Sequence, residues 1–298
     1  MLKSLGLIDT IRLKLTDLGL LTKFRLSSLV VLSAMAGYFV SLHTAVTLEG
    51  LLTIAIGGFL VTGAANALNQ VFEIEYDRQM KRTQNRPLAA GRMYIPEAVL
   101  WAGVFSLTGT ALLLSFNLYA GILGLTSLVL YAFIYTPLKR ISPVAVWVGA
   151  LPGALPVLIG GVAATGYLTP LAICLFLLQV IWQFSHFWAI AWVADDDYRN
   201  AGFKLLPSNS GEKDSSVGFQ AFVYNIALTL LGILPYFLGL MSLISTIIIV
   251  LVSILYSQKA WYLYRRCDMD SARKLMFSSF LYLPVVLLVF VIEKMLMI

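Results

Sequence analysis

Charge is scarce in this chain. Of 298 residues, 12% are Asp, Glu, Lys or Arg and 59% are hydrophobic, and the mean hydropathy is +0.86. A water-soluble domain carries roughly 25% charged residues, so that class is excluded. Cysteine and histidine are scarcer still, two of each. Cys174, in an apolar run, and Cys267, in a polar loop, cannot build a disulfide framework or a four-ligand zinc site. The first 26 residues lack an apolar core followed by a small-residue cleavage site, and they contain Asp9 and Asp17 beside their basic residues. They read as neither a signal peptide nor a transit peptide. The net charge of +6 gathers beside apolar runs, which points to a topology signal or a phosphorylated ligand and away from nucleic acid.

What is present is apolar sequence in long runs. A helix that crosses a bilayer needs about 20 mostly apolar residues, and nine runs qualify, near 27–46, 51–72, 97–116, 118–136, 144–164, 170–194, 217–239, 243–264 and 275–294. The expectation is an all-α, polytopic membrane bundle of nine transmembrane helices forming a single domain over 1–298, with 1–26 as a cytoplasmic N-terminal segment. The basic residues support that count. They fall in the N-terminal segment and in the loops after the second, fourth, sixth and eighth runs, while the loops near Thr47, Asn117, Thr165 and Leu240 carry none. Lys294 alone of the 21 falls on the other side. Lys and Arg accumulate in cytoplasmic loops, so the N-terminus is expected in the cytoplasm, and a bacterial inner membrane is the simplest location.

Two loops on the basic side hold candidate chemistry. If the second helix runs on through Asn69, Glu73 and Asp77, these residues fall at i, i+4 and i+8 and line one face. Carboxylates so close need a cation between them. Magnesium suits oxygen ligands that bridge to substrate phosphates, and Arg78, Lys81, Arg82 and Arg86 follow to hold a diphosphate. The second loop begins Asp195-Asp196-Asp197-Tyr198-Arg199. Three successive residues spread around about 200° of a helix, so Asp196 or Asp197 is expected to face the site and another to be solvated. A solvated cap is the plain alternative for any one of these acids, but carboxylates at the end of an apolar run need partners.

These residues resemble a known family. The stretch Asn69-Gln70-Val71-Phe72-Glu73-Ile74-Glu75-Tyr76-Asp77-Arg78, continuing to Asn85-Arg86-Pro87-Leu88, is similar to the first signature of the haem O synthases, the protoheme IX farnesyltransferases of the intramembrane aromatic prenyltransferase superfamily. Tyr131, Tyr135-Thr136-Pro137-Leu138-Lys139-Arg140, Gly149, Pro152-Gly153-Ala154, Pro156 and Gly160-Gly161 resemble the middle section. His186-Phe187-Trp188-Ala189, Asp196-Asp197-Tyr198-Arg199, Ala201-Gly202 and Leu206-Pro207 resemble the second signature. Two departures stand out. Glu73 occupies a position that is commonly Asp in the superfamily, and Val193 stands four residues before Asp197, where a second Asp is frequent.

The resemblance implies transfer of farnesyl from farnesyl diphosphate to a vinyl group of haem B, giving haem O and diphosphate. It implies Mg2+ on Asn69, Glu73, Asp77, Asp196 and Asp197, and a diphosphate held by Arg78, Lys81, Arg82, Arg86, Lys139, Arg140 and Arg199. It places haem B, farnesyl diphosphate and the lipid bilayer among the partners, and admits a downstream haem-modifying enzyme or a terminal oxidase assembly. Tyr131 and Tyr135, one turn apart, stand as a pocket for the allylic cation or as interfacial tyrosines. His186 stands as an axial ligand or haem-pocket donor, or as a histidine hydrogen-bonded across helices. Trp188 and its aromatic neighbours line a porphyrin site or pack. His43, near the outer end of the first run, reads as interfacial. A prenyltransferase acting on a quinone precursor stays open. A secondary transporter fits less well, because its ionisable residues belong near the midplane.

Overall fold

The computed structural model describes residues 7–207 and 213–297. Its first helix, α1 (Leu7–Leu21), precedes nine helices that, among the described residues, are long and apolar enough to cross a membrane: α2 (Phe24–Ser41), α3 (Leu48–Phe72), α4 (Ile95–Leu114), α5 (Leu118–Leu138), α6 (Ala145–Thr165), α7 (Pro170–Val193), α8 (Ser215–Phe237), α9 (Leu243–Arg266) and α10 (Met269–Leu296). The first span ends five residues earlier than its apolar run, because Leu42 turns extended and Thr47 then caps α3 by accepting from Gly50 N. Asn117, Thr169 and Ser242 cap α5, α7 and α9 at the same end of the bundle in the same way.

The most enclosed helix is α6, with 78% of its apolar window buried against 22% for α4. It packs on α2, α5 and α7, and α10 joins α7 back towards α2. Small residues permit this closeness. A Cβ on Gly160 would strike Ala34 O, and one on Gly37 would strike Val157 O, so the α2 and α6 backbones touch where only glycine fits. Pro152 and Pro156 lie inside α6 without ending it. A proline leaves the carbonyl four residues earlier without its helical donor. For Pro156 that carbonyl is Pro152 O, and Ser127 Oγ of α5 donates to it at 3.2 Å. Gln179 and Gln183 of α7 donate to Gly153 O and Ala150 O of the same stretch, each at 3.1 Å.

The corner between α1 and α2 is held by α3. Gln70 Nε2 donates to Leu20 O and Leu21 O, at 2.8 and 3.0 Å, and Asn66 Nδ2 donates to Thr22 O and Ser27 Oγ. Arg92 reaches back to Asp17 at 2.9 Å. The corner is finished by Lys23 in the left-handed region, with φ 51°.

Candidate active site

The first acidic cluster is not one continuous helix. Glu73 leaves helical geometry (φ −111°, ψ 12°) and a short turn, Ile74–Asp77, follows. Backbone bonds nevertheless bridge the break, Glu73 N to Asn69 O at 3.1 Å and Asp77 N to Glu73 O at 2.7 Å. Asn69, Glu73 and Asp77 keep their four-residue spacing, and all three are buried.

Each of the three meets a different cation. Asp77 takes both carboxylate contacts from Arg86 Nη1 at 2.7 Å. Glu73 Oε1 lies 2.5 Å from Lys139 Nζ, a close ion pair between two buried side chains. Asn69 Oδ1 accepts from Lys23 Nζ at 3.0 Å, and Asn69 Nδ2 donates to Thr136 Oγ1 at 3.0 Å. Burial, with Arg86 and Lys139 close by, pushes the Lys23 ammonium well below the usual lysine range. Burial likewise lowers Lys139 against the pull of Glu73, and raises the Asp77 carboxyl against the pull of Arg86.

Tyr131 and Tyr135 roof this cluster. The end of α5 widens into a π-turn over Leu130–Tyr135, with Thr136 Oγ1 donating to Tyr131 O at 2.9 Å. Such turns are frequent at functional sites. The two rings lie 5.3 Å apart. Tyr131 Oη accepts from Lys23 at 3.4 Å and donates to Asn66 Oδ1 at 3.3 Å. Tyr135 fits because Gly149 faces it; a Cβ there would lie 2.6 Å from the ring.

Two carboxylates and an amide oxygen, all on buried side chains, form a hard-cation donor set that leaves positions for phosphate or water. Asn69, Glu73 and Asp77 therefore fit magnesium. Among the described residues no three His, Cys, Asp or Glu side chains converge as a complete metal site. Residues 30–283 match the UbiA prenyltransferase family. The chain belongs to the UbiA prenyltransferase family.

Relatives within that group agree over nearly the whole length. The chain is 44% identical to a protoheme IX farnesyltransferase of Cytophaga hutchinsonii over 92% of this chain and 96% of that one. It is 38% identical to one from Flavobacterium psychrophilum over 99% and 100%. The fold is similar to that of a digeranylgeranylglyceryl phosphate synthase, with TM-score 0.80, 21% identity and coverage of 94% and 98%. It also resembles a UbiA homologue from Archaeoglobus fulgidus solved with GPP and Mg2+, with TM-score 0.67, 14% identity and coverage of 92% and 99%.

Other residues expected at the site make contacts outside the acidic cluster itself. Arg78 pairs with Glu75 at 2.8 Å and donates to Ala89 O, tying down its own loop. Lys81 and Arg199 are exposed. Arg82 lies over the Tyr198 ring at 4.5 Å, and Arg140 donates to Tyr76 Oη at 2.7 Å. Trp188 does not line an open pocket. It is wholly buried, stacked on Phe184 and packed edge-on to Tyr224. His186 makes a cross-helix contact of 2.8 Å with Ser279 Oγ. Lys23 was missed because it sits 46 residues from Asn69 and looks like one more topology charge; its place just before an apolar run was the sole signal.

In the second acidic cluster the inward position belongs to Asp195. The Asp196 side chain is 93% exposed, 3.7 Å from Lys213, which makes it the solvated one of the pair Asp196 and Asp197. Asp197 is half-buried. A short helix, Asp195–Asn200, starts afresh after Val193, and its phase turns the first of the three acids inward. Asp195 has Lys213 at 3.5 Å, and burial still raises its carboxyl above the usual range. With the folded pKa above the unfolded one, the penalty is absent below the unfolded pKa and grows as pH rises to the folded pKa. Asp195→Asn is expected to raise the thermal unfolding midpoint in detergent at neutral pH, with the gain vanishing below about pH 4. An equal gain at both pH values would contradict this account.

Proposed function

We propose that this chain transfers the farnesyl group of farnesyl diphosphate to a vinyl group of protoheme IX, water completing haem O as diphosphate leaves. The observation that supports this reading is the convergence of Asn69, Glu73 and Asp77 with Lys23, Arg86 and Lys139 under a tyrosine pair, in a chain 44% identical to a protoheme IX farnesyltransferase.

Asn69, Glu73 and Asp77 would hold Mg2+, which when bound supplies charge neutralisation for the diphosphate. Lys23, Arg86 and Lys139 stabilise the charge that grows on the leaving group, in a buried setting where such contacts are strong. Arg82, next to Tyr198, extends that positive wall. Tyr131 and Tyr135 offer ring faces to the allylic cation, and their packing keeps water from it. The apolar bundle solvates the isoprenoid chain. Asp197, the half-buried member of the second cluster, is the one retained as a site acid. The concentration of basic residues at this end supports a cytoplasmic site in a bacterium, with the chain in the inner membrane. A downstream haem-modifying enzyme or a terminal oxidase assembly would receive the product.

The test is direct. Purified protein in lipid, given haem B, farnesyl diphosphate and Mg2+, is expected to yield haem carrying a hydroxyethylfarnesyl group by mass spectrometry, and none with EDTA. Prenylation of a quinone precursor with haem left unchanged would retain the family chemistry and overturn the acceptor.

A further inference from the structure

His186 stands on the face of α7 that meets α10, and its hydrogen bonding decides which ring nitrogen is bare. Ser279 Oγ donates its one proton to Met276 O at 2.6 Å. Its 2.8 Å contact with His186 Nδ1 can then be made only as acceptor. Nδ1 therefore carries the imidazole proton. Nε2 presents a lone pair, with no partner among the described residues. A neutral imidazole whose remote N–H is fixed by an acceptor is the form in which histidine binds metals.

The surroundings narrow which metal. The ring is stacked on Trp182 with centroids 4.5 Å apart, and Phe187 and Phe280 lie at 5.6 and 5.4 Å. Trp182 is itself anchored, Nε1 donating to Ser279 O at 3.1 Å. Among the described residues no cluster of three His, Cys, Asp or Glu exists to complete a protein-only site. One nitrogen in an aromatic setting suits a metal that brings its other ligands with it, as a metalloporphyrin does. The depth in the bundle also fits. Gln183, one turn before His186, donates to Ala150 O of α6, and the adjacent Gly149 faces Tyr135. His186 thus stands within about a turn of the depth of the tyrosine pair that roofs the acidic cluster.

We infer that His186 Nε2 ligates the iron of the acceptor haem and that Ser279 is the positioning residue fixing its tautomer, an inference resting on the haem-farnesylating reading above. The chain has only two histidines, which makes the ligand assignable. Protein labelled with 15N-histidine, in nanodiscs without prenyl donor, is loaded with ferric haem B, and the iron–nitrogen hyperfine coupling is read by pulsed EPR. Coupling is expected in the wild type and in His43→Ala, where His186 is the sole labelled ring, and not in His186→Ala. Unlabelled imidazole should restore haem affinity to that last variant. Ser279→Ala should weaken haem binding by about ten-fold or more, and Ser279→Thr should recover most of it. Saturable haem binding by His43→Ala without 15N coupling, or coupling that persists in His186→Ala, overturns the ligand. Wild-type protein that binds no haem and forms no haem O overturns the acceptor reading instead. Haem O formation with an unchanged iron spectrum in His186→Ala removes the ligand alone.

Discussion

Replacing Asp77 by asparagine is expected to lower the rate of haem O formation by roughly 10²–10³-fold at saturating Mg2+ and farnesyl diphosphate. The side chain is 1% exposed and takes two 2.7 Å contacts from one Arg86 nitrogen, so the substitution removes the charge proposed to hold Mg2+ and also unbalances a buried pair. Leaving one partner of such a pair alone costs about 3–5 kcal/mol. Asp77→Ala should approach that range, and Asp77→Asn, which still accepts a hydrogen bond, should lose less. The two effects separate in the double variant Asp77→Asn with Arg86→Gln. Its thermal midpoint should recover towards the wild type while its activity stays low. Recovery of both would make Asp77 a structural counter-ion and nothing more; full activity in Asp77→Asn would remove it from the site.

Gly160→Val is expected to be the most damaging change outside the site. A Cβ at this position would strike the Ala34 carbonyl and sit 2.7 Å from Tyr38 N, both backbone atoms that no rotamer change can move. Overpacking of this kind costs about 1–3 kcal/mol where side chains can shift, and more where they cannot. A loss above about 3 kcal/mol is therefore expected, seen as a large drop in unfolding midpoint in detergent. Gly103→Ala on α4, where an added Cβ meets nothing within 4 Å, is the matched control. A similar drop for both would mean that the α2–α6 contact carries no special weight.

The parts of this fold that were legible are those that depend on chain-local physics. Apolar length and the alternation of basic and neutral loops give nine spans, because bilayer thickness and charge placement act on each segment separately. The four-residue spacing of Asn69, Glu73 and Asp77 likewise survives a break in the helix, since backbone bonds from Glu73 and Asp77 bridge it. What was hidden depends on pairing between distant segments. Lys23 enters the site only because Gln70 and Asn66 pin the corner before it. Arg78 leaves because Glu75 and the Ala89 carbonyl lie nearer than the cluster. The choice of Asp195 over Asp196 turns on the phase of a helix that restarts after Val193, which no periodicity in three consecutive aspartates reveals.

The proline-bearing stretch of α6 has a consequence for how the protein is made. Of its carbonyls, Pro152 O is one that a proline strips of its helical donor, and Ser127 of α5 supplies the replacement. Gln179 and Gln183 of α7 add second donors to Gly153 O and Ala150 O, which keep their helical partners. Hydrocarbon supplies no substitute for a missing donor. During synthesis α5 emerges before α6, so the hydroxyl that Pro152 O needs is already in the membrane when the proline-bearing helix arrives, which ties the centre of the bundle to the order in which the chain is delivered.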